Sequence, residues 1–320
     1  MTTEHQPYLS IVVPVYGSEA VLPELVSRVD AVMQGQAWRY EVIFVCDRSP
    51  DQSWSVIQAL AARFATVKGI LLRMNAGQHN ALMAGFQQAR GKIVVTMDDD
   101  LQHAPSDIPA LVRQIELGHD LAYANFRSRQ HPLWKIAGSR LNNAVAARLM
   151  NKPRDLYLSP FRAFSAAIRD EILLYRGPYV YVDGLLLAVT RNIASVDVDH
   201  HERYAGDSRY GMKKSISLWL KMATSFSILP LRITSIVGMA FAGLGFLFAV
   251  LLIIQKFTLN MMPVGWSSLI VTVLIIGGIQ LLALGMLGEY LGRVLLTLNG
   301  RPQYVVAERV GIERPSDQTV

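Results

Sequence analysis

Hydrophobic and polar positions over the first 126 residues follow two alternating periods. Runs rich in β-branched and aromatic residues predict strands: SIVVPVY at 10–16, YEVIFVCD at 40–47, VKGILLR at 67–73, KIVVTMDDD at 92–100 and DLAYANF at 120–126. Between them, AVLPELVSRVDAVM, DQSWSVIQALAARF, QHNALMAGFQQA and SDIPALVRQIEL carry apolar residues at helical spacing. Strand and helix in alternation predict an α/β domain, with a mostly parallel sheet flanked by helices. Ligands of such sheets gather at the carboxyl ends of the strands.

The pattern changes beyond residue 126. Residues 131–150 predict a longer basic helix, and 157–201 predict short strands (LSPFRAFS, IASVDVDHH) around a helix starting at Asp183. Lysines and Trp219 among apolar residues over 213–231 predict an interfacial amphipathic helix. Residues 233–254 and 267–288 are apolar and uncharged, each near the roughly 20 residues that a membrane-crossing helix needs. Lys213, Lys214, Lys221 and Arg232 precede the first stretch, and Arg293, Arg301 and Arg309 follow the second. Only Lys256 lies between them. This basic excess puts both flanks in the cytoplasm. The expected organisation is a cytoplasmic domain over 1–210, an interfacial helix over 211–231, two transmembrane helices within 232–291 and a cytoplasmic tail over 292–320, ending in the disordered ERPSDQTV.

Composition agrees with a soluble domain joined to a membrane part, since 51% of the 320 residues are hydrophobic and only 18% are charged. The one cysteine, Cys46, forms no intrachain disulfide, as in a reducing compartment. MTTEHQPYLS lacks the pattern of a signal peptide, which leaves the first domain in the cytoplasm. A net charge of +6 suits phospholipid head groups, phosphorylated substrates or nucleic acid. Nucleic acid fits poorly, because the basic residues cluster beside membrane segments rather than among exposed aromatics.

The candidate chemistry starts from TMDDDLQHAP at 96–105. In an extended chain Asp98 and Asp100 point one way and Asp99 the other, with Gln102 in phase with the pair if the extension persists. Like charges so close need a cation between them, and two carboxylates with an amide oxygen suit Mg²⁺ or Mn²⁺. The alternative is a solvated loop that caps the next helix, a role expected of Ser106. PVYGSEA has neither a dinucleotide glycine fingerprint nor a P-loop, so a metal must hold any phosphates, as for a nucleotide-diphosphate donor. Asn75, Gln78 and His79 occupy a strand-to-helix turn suited to an anion or to a purely structural role.

SIVVPVYGSEAVLPEL, EVIFVCDRSPDQSW, NAGQHNALMAGF and TMDDDLQHAP, in this order, resemble the catalytic domain of family 2 glycosyltransferases with the GT-A fold. SPFRAFS, YVYVDGLLLA, the segment from HHERYAGDSRYGMKK to ILPLRI, and two terminal membrane helices narrow the resemblance to polyprenyl-phosphate glycosyltransferases related to dolichyl-phosphate mannose synthase. The resemblance implies metal and diphosphate contacts at Asp98, Asp100 and Gln102, with Asp99 in the same donor site. It puts Asp47 near the nucleotide base, with Pro14, Tyr16 and Gln78 lining the pocket, though Asp47 also reads as a turn-forming acid before Ser49-Pro50. Where many relatives have Asp-Asp-Gly or Asn-Asp-Gly, this chain has Cys46-Asp47-Arg48, which bears on donor choice. Asp183 matches a carboxylate near the attacking acceptor, or else caps its helix. Asp100 and Asp183 are the implied catalytic acids.

Arg127, Arg129, Arg162, Arg203, Arg209, Lys213 and Lys214 are candidates for the acceptor phosphate, expected at the site rim or membrane surface. His200 and His201, with Arg203, match a histidine-and-arginine segment of the family. The implied activity moves one sugar, with inversion, from a UDP- or GDP-sugar to undecaprenyl or another polyprenyl phosphate, with Mg²⁺ or Mn²⁺ as cofactor. Its setting is the bacterial inner membrane and cell-envelope glycans such as lipopolysaccharide, and a homo-oligomer is compatible with it. A processive polysaccharide synthase would need more helices and a Q-x-x-R-W motif, which the chain lacks. A non-catalytic nucleotide-binding scaffold would not need acids at 98, 100 and 183.

Overall fold

A computed structural model describes residues 6–126, 156–177, 179–198, 229–259 and 265–312. Its strands are β1 (Leu9–Val15), β2 (Tyr40–Cys46), β3 (Val67–Leu72), β4 (Ile93–Thr96), β5 (Leu121–Phe126), β6 (Arg162–Ser165), β7 (Ile193–Val198) and β8 (Val306–Val310). They form one sheet in the order β7-β5-β6-β4-β1-β2-β3-β8. Six strands run one way, while β6 and β8 run against them. The expected mostly parallel sheet with flanking helices is what the chain forms. Every residue of β1 is buried, as a central parallel strand covered on both faces requires.

The flanking helices are α1 (Leu22–Gln34), α2 (Ser53–Arg63), α3 (Gln78–Gln88), α4 (Ile108–Glu116), α5 (Ala166–Leu173) and α6 (Val182–Val189). Three local expectations are corrected. Strand β4 stops at Thr96 instead of running on through the acids. Ser106 does not cap α4: it lies in a 3-10 turn, Pro105–Asp107, and the cap position, Asp107, makes no side-chain cap bond. Helix α5 was not foreseen, although Ser165 signals its start by accepting the Ile168 amide on its hydroxyl.

The chain divides into two compact units, Met1–Tyr210 with Arg301–Val320, and Gly211–Gly300. The region expected to be a cytoplasmic tail, 292–320, is helical to Leu298 and then supplies β8 to the sheet of the first unit. Strand β8 covers the edge of β3, Trp54 Nε1 donates to Glu308, and Gln303 Nε2 donates to the carbonyls of Tyr175 and Gly177. In the second unit, α7 (Leu229–Leu259) and α8 (Trp266–Leu298) touch where the Thr234 hydroxyl meets Met286 Sδ at 3.5 Å. Within α8, Ile275–Leu298 is long and apolar enough to cross a membrane, and Thr234–Phe248 is a shorter apolar stretch of α7.

Where the sheet opens is decided at Pro14. Parallel pairing of β1 with β4 ends at Val12 and Thr96, after which β4 departs. Val12 and Pro14 present their backbone polar groups to the same side of β1, the side that β4 vacates. A proline, which has no N–H, is tolerated there in a central strand because no ladder partner remains.

Helix α3 packs tightly behind this opening, because a Cβ on Gly85 would lie 2.3 Å from Val12 Cγ1 and 3.1 Å from Val45 Cγ2. Gly85→Ala is therefore expected to lower stability by about 1–3 kcal/mol, the usual cost of overpacking, as measured by urea unfolding in detergent. An unchanged midpoint would show that α3 has room to move off the sheet.

Candidate active site

Four loops leave the carboxyl ends of β1 to β4, and hydrogen bonds join them. The Gly17 amide donates to Ser49 Oγ at 3.0 Å and the Ser18 amide to Ser53 Oγ at 3.2 Å, which ties the loops after β1 and β2. Asp47, buried at the end of β2, accepts the Ala76 and Gly77 amides at 2.7 and 2.8 Å, and Asn75 Nδ2 donates to its carbonyl at 3.1 Å. Its carboxylate thus anchors the start of α3 rather than the Ser49-Pro50 turn. Burial pushes its pKa up while the two amides oppose the shift. These bonds occupy the two amides just before α3. Burial also raises the Cys46 thiol, which has the setting of an inert core residue. Arg48 is exposed and takes a left-handed backbone (φ 55°), a conformation better suited to glycine.

The three acids follow β4 as a turn, not as an extended strand. Asp99 accepts the Ser18 hydroxyl at 2.5 Å and the Tyr16 amide at 3.2 Å, bridging from β4 back to β1. Burial pushes its pKa up to about 6, and the Ser18 and Tyr16 bonds offset part of that rise. Asp98 accepts Gln78 Nε2 at 2.8 Å, and Asp100 accepts the Gln102 amide at 3.1 Å. Leu101 turns the chain through a left-handed conformation (φ 60°), and His103 returns to accept the Asp98 amide.

Asp99 is tied to the β1 loop, whereas the bonds of Asp98 and Asp100 run to α3 and within the turn. Among the described residues no three His, Cys, Asp or Glu side chains converge on one point. The protein offers an incomplete set of hard oxygen donors, which fits a divalent ion that completes its shell with substrate phosphates.

A second cluster lies between β5, β6 and α6. Asp183 is in the first turn of α6, past the cap position at Tyr181, so it does not cap the helix. Arg162 Nη1 and the Tyr123 hydroxyl both donate to Asp183 Oδ1, the latter at 2.8 Å. Arg162 is only 1% exposed and Asp183 8%. The expectation that Arg162 lies on the rim for the acceptor phosphate is therefore corrected: it is a buried ion-pair partner, and its Nε finds no acceptor. Burial raises the pKa of Tyr123 and of Tyr181, with Asp183 adding to both. The Val182 amide donates to His79 Nδ1 at 3.4 Å, and the imidazole meets Tyr181 edge-on at 5.0 Å. Burial pushes the pKa of His79 down to about 4, so near pH 7 the ring is neutral and carries its proton on Nε2.

Tyr16 is exposed beside Pro14 at the opening, and Gln102 is partly buried in the turn. Arg127, Arg129, His200, His201, Arg203, Arg209, Lys213 and Lys214 lie outside the described residues, as do the basic stretch at 131–150 and most of the interfacial segment at 213–231. Ser18, Tyr123 and His103 are site residues that sequence reasoning did not single out. Of these, Ser18 and His103 lay within motifs already marked, PVYGSEA and TMDDDLQHAP.

Comparisons with known proteins agree with this geometry. The sequence profile described as glycosyl transferase family 2 matches residues 10–174, which span β1 to α5. An undecaprenyl-phosphate 4-deoxy-4-formamido-L-arabinose transferase from Pseudomonas fluorescens is 35% identical over 97% of this chain and 92% of its own. One of the same description from Aeromonas hydrophila is 36% identical over 97% and 96%. Among solved structures, glucosyl-3-phosphoglycerate synthase from Mycobacterium tuberculosis, crystallised with Mn²⁺, UDP-glucose and phosphoglyceric acid, superposes with a TM-score of 0.50. That likeness has 18% identity, spans 68% of this chain and 78% of the other, and shows the shared GT-A fold.

Replacing one member of the buried ion pair strands the other's charge. Arg162→Met is expected to cost about 3–5 kcal/mol of stability, whereas Arg162→Met with Asp183→Leu should recover most of it, as read by denaturant unfolding. A rim arginine would behave differently, the single variant keeping its melting temperature and losing only acceptor affinity.

Proposed function

We propose, from the premise that this chain belongs to glycosyl transferase family 2, that it moves one sugar from a nucleoside-diphosphate donor to undecaprenyl phosphate, with inversion. The observation that carries this reading is the near full-length match to undecaprenyl-phosphate transferases, over 92% and 96% of two of them. In this reading Asp98, Asp100 and Gln102, in the turn after β4, meet the donor diphosphate, and Asp47, Pro14, Tyr16 and Gln78 meet the nucleotide; the end of β1–β4 pairing at Val12 and Thr96 supports it. A divalent cation held there supplies charge neutralisation for the departing diphosphate.

On the acceptor side little demand falls on a protein base. A phosphate monoester has a second pKa of roughly 6, so it reaches the site largely dianionic. Asp183 already shares Oδ1 between Arg162 and Tyr123, which suits a fixed wall of the acceptor pocket better than a proton acceptor. Arg127, Arg129, Arg203, Arg209 and Lys213 are the proposed phosphate contacts, arginine's planar fork being the better match. Arg203→Ala should weaken use of undecaprenyl phosphate by roughly one to two powers of ten while calorimetry shows unchanged nucleotide binding. Wild-type acceptor kinetics for this variant would move the phosphate site elsewhere.

We place the protein in the bacterial inner membrane as a two-span protein with its catalytic unit in the cytoplasm. The chain leaves the first unit before α7 and rejoins its sheet at β8, which requires an even number of crossings in between. Apolar side chains such as Leu244, Phe246, Leu281 and Leu298 are more than half exposed, a surface suited to lipid. A cysteine at Asn260 should react with an impermeant thiol reagent in intact cells and one at Ser208 should not; the opposite pattern would invert the topology. Cys46 gives little background because it is buried.

The activity itself is tested by offering the purified protein undecaprenyl phosphate with UDP- and GDP-linked sugars, the formylated aminopentose of the relatives among them. No lipid-linked product with any donor would rule the reading out. Asp100→Asn should abolish transfer in a protein that still melts normally, and chelator should silence the wild type until Mg²⁺ or Mn²⁺ is restored. Full turnover in excess chelator would remove the metal from the reading.

A further inference from the structure

We propose that His103 is a positioning residue that closes the Asp98–Asp100 turn and sets its carboxylates for the divalent cation; this rests on reading those acids as the cation site. The need for such a residue comes from the end of β4. The Met97 amide still reaches the Val12 carbonyl of β1, and the alternation of the strand directs the next amide, that of Asp98, toward the other neighbour, β6, whose pairing with β4 ends at Arg162 opposite Thr96. His103 Nδ1 accepts that amide at 3.1 Å. The left-handed turn at Leu101 makes the return possible, so the hydrogen bond closes a short loop around Asp99, Asp100 and Gln102.

The imidazole is fixed as firmly as the amide it holds. His103 is 5% exposed and stacks on Phe161, with ring centroids 5.1 Å apart and planes 13° from parallel. Phe161 is itself fully buried, its amide donating to Ser159 Oγ and its carbonyl accepting the Ala124 amide. As Nδ1 accepts, it carries no proton, so a neutral ring has its proton on Nε2, and Nδ1 is not available as a metal ligand. The turn is thus held at its base by His103, on one side by Gln78 to Asp98, and on the other by Ser18 and Tyr16 to Asp99. Outer contacts of this kind typically change metal affinity by about 10- to 100-fold when removed.

Two substitutions separate the acceptor atom from the ring. His103→Phe keeps the stack on Phe161 and loses the acceptor. His103→Asn loses the stack but can put Oδ1 where Nδ1 was. Full-length protein in detergent would be titrated with Mn²⁺ in the presence of UDP, and in parallel GDP, with free Mn²⁺ read by electron paramagnetic resonance. His103→Phe should weaken Mn²⁺ binding by about 10- to 100-fold and His103→Asn should stay near wild type. A general packing role would instead make Asn the worse of the two, and that order, or equal binding by Phe and wild type, overturns the proposal. If the wild type binds no Mn²⁺ with either nucleotide, the cation reading fails and takes this one with it. Nitrogen-15 spectra of histidine-labelled wild type give a check without substitution: His103 should show an unprotonated Nδ1, and the opposite tautomer overturns the proposal.

Discussion

The carboxylate of Asp99, which accepts the Ser18 hydroxyl and the Tyr16 amide, holds together two strand ends that the sheet would otherwise let part. Strands β1 and β4 pair only as far as Val12 and Thr96. Beyond that point Pro14 offers no donor, and the gap is where a topologically switched sheet receives its ligand. Asp99 spans the gap at its root, and by taking one acid out of contention it leaves Asp98 and Asp100 as a pair. The same bridge sets one of three adjacent carboxylates apart from the other two, the pair proposed to hold the cation.

A second economy lies in β6. Phe161 and Arg162 are consecutive, and along an extended chain their side chains go to opposite faces. One backs the acidic turn through His103, and the other meets Asp183 under α6. The donor and acceptor halves of the proposed reaction thus share the entry to a single short strand, so a shift of β6 would disturb both. Because β6 runs against β4 and β5, its entry, where these two residues sit, lies at the carboxyl ends of its parallel neighbours.

The sequence was most readable where burial is two-sided. The runs that became β1 to β3 are mostly apolar because helices cover both faces, and their bounds were within a residue of those expected. The end of β4 was not readable, because the acids that follow it continue an apolar run and nothing local marks the loss of a pairing partner. Arg162 misled for a related reason: arginine is rarely buried unless paired, and its partner is 21 positions away on another element. His103 gave no local sign of its contact, since the Asp98 amide it accepts is brought to it only by the finished turn. Strand β8 was missed within the expected tail because it is short and finds its partner far back in the chain.

That distance gives β8 a meaning in time as well as in space. The edge of β3 is made once residue 72 is synthesised, but the strand that covers it ends at Val310. At roughly 5–20 residues per second, the ribosome takes on the order of tens of seconds to deliver it. During that interval the nascent domain has an open strand edge, the kind of surface that recruits other chains. Helices α7 and α8 are synthesised within the same interval, so the sheet is sealed only after both have been made.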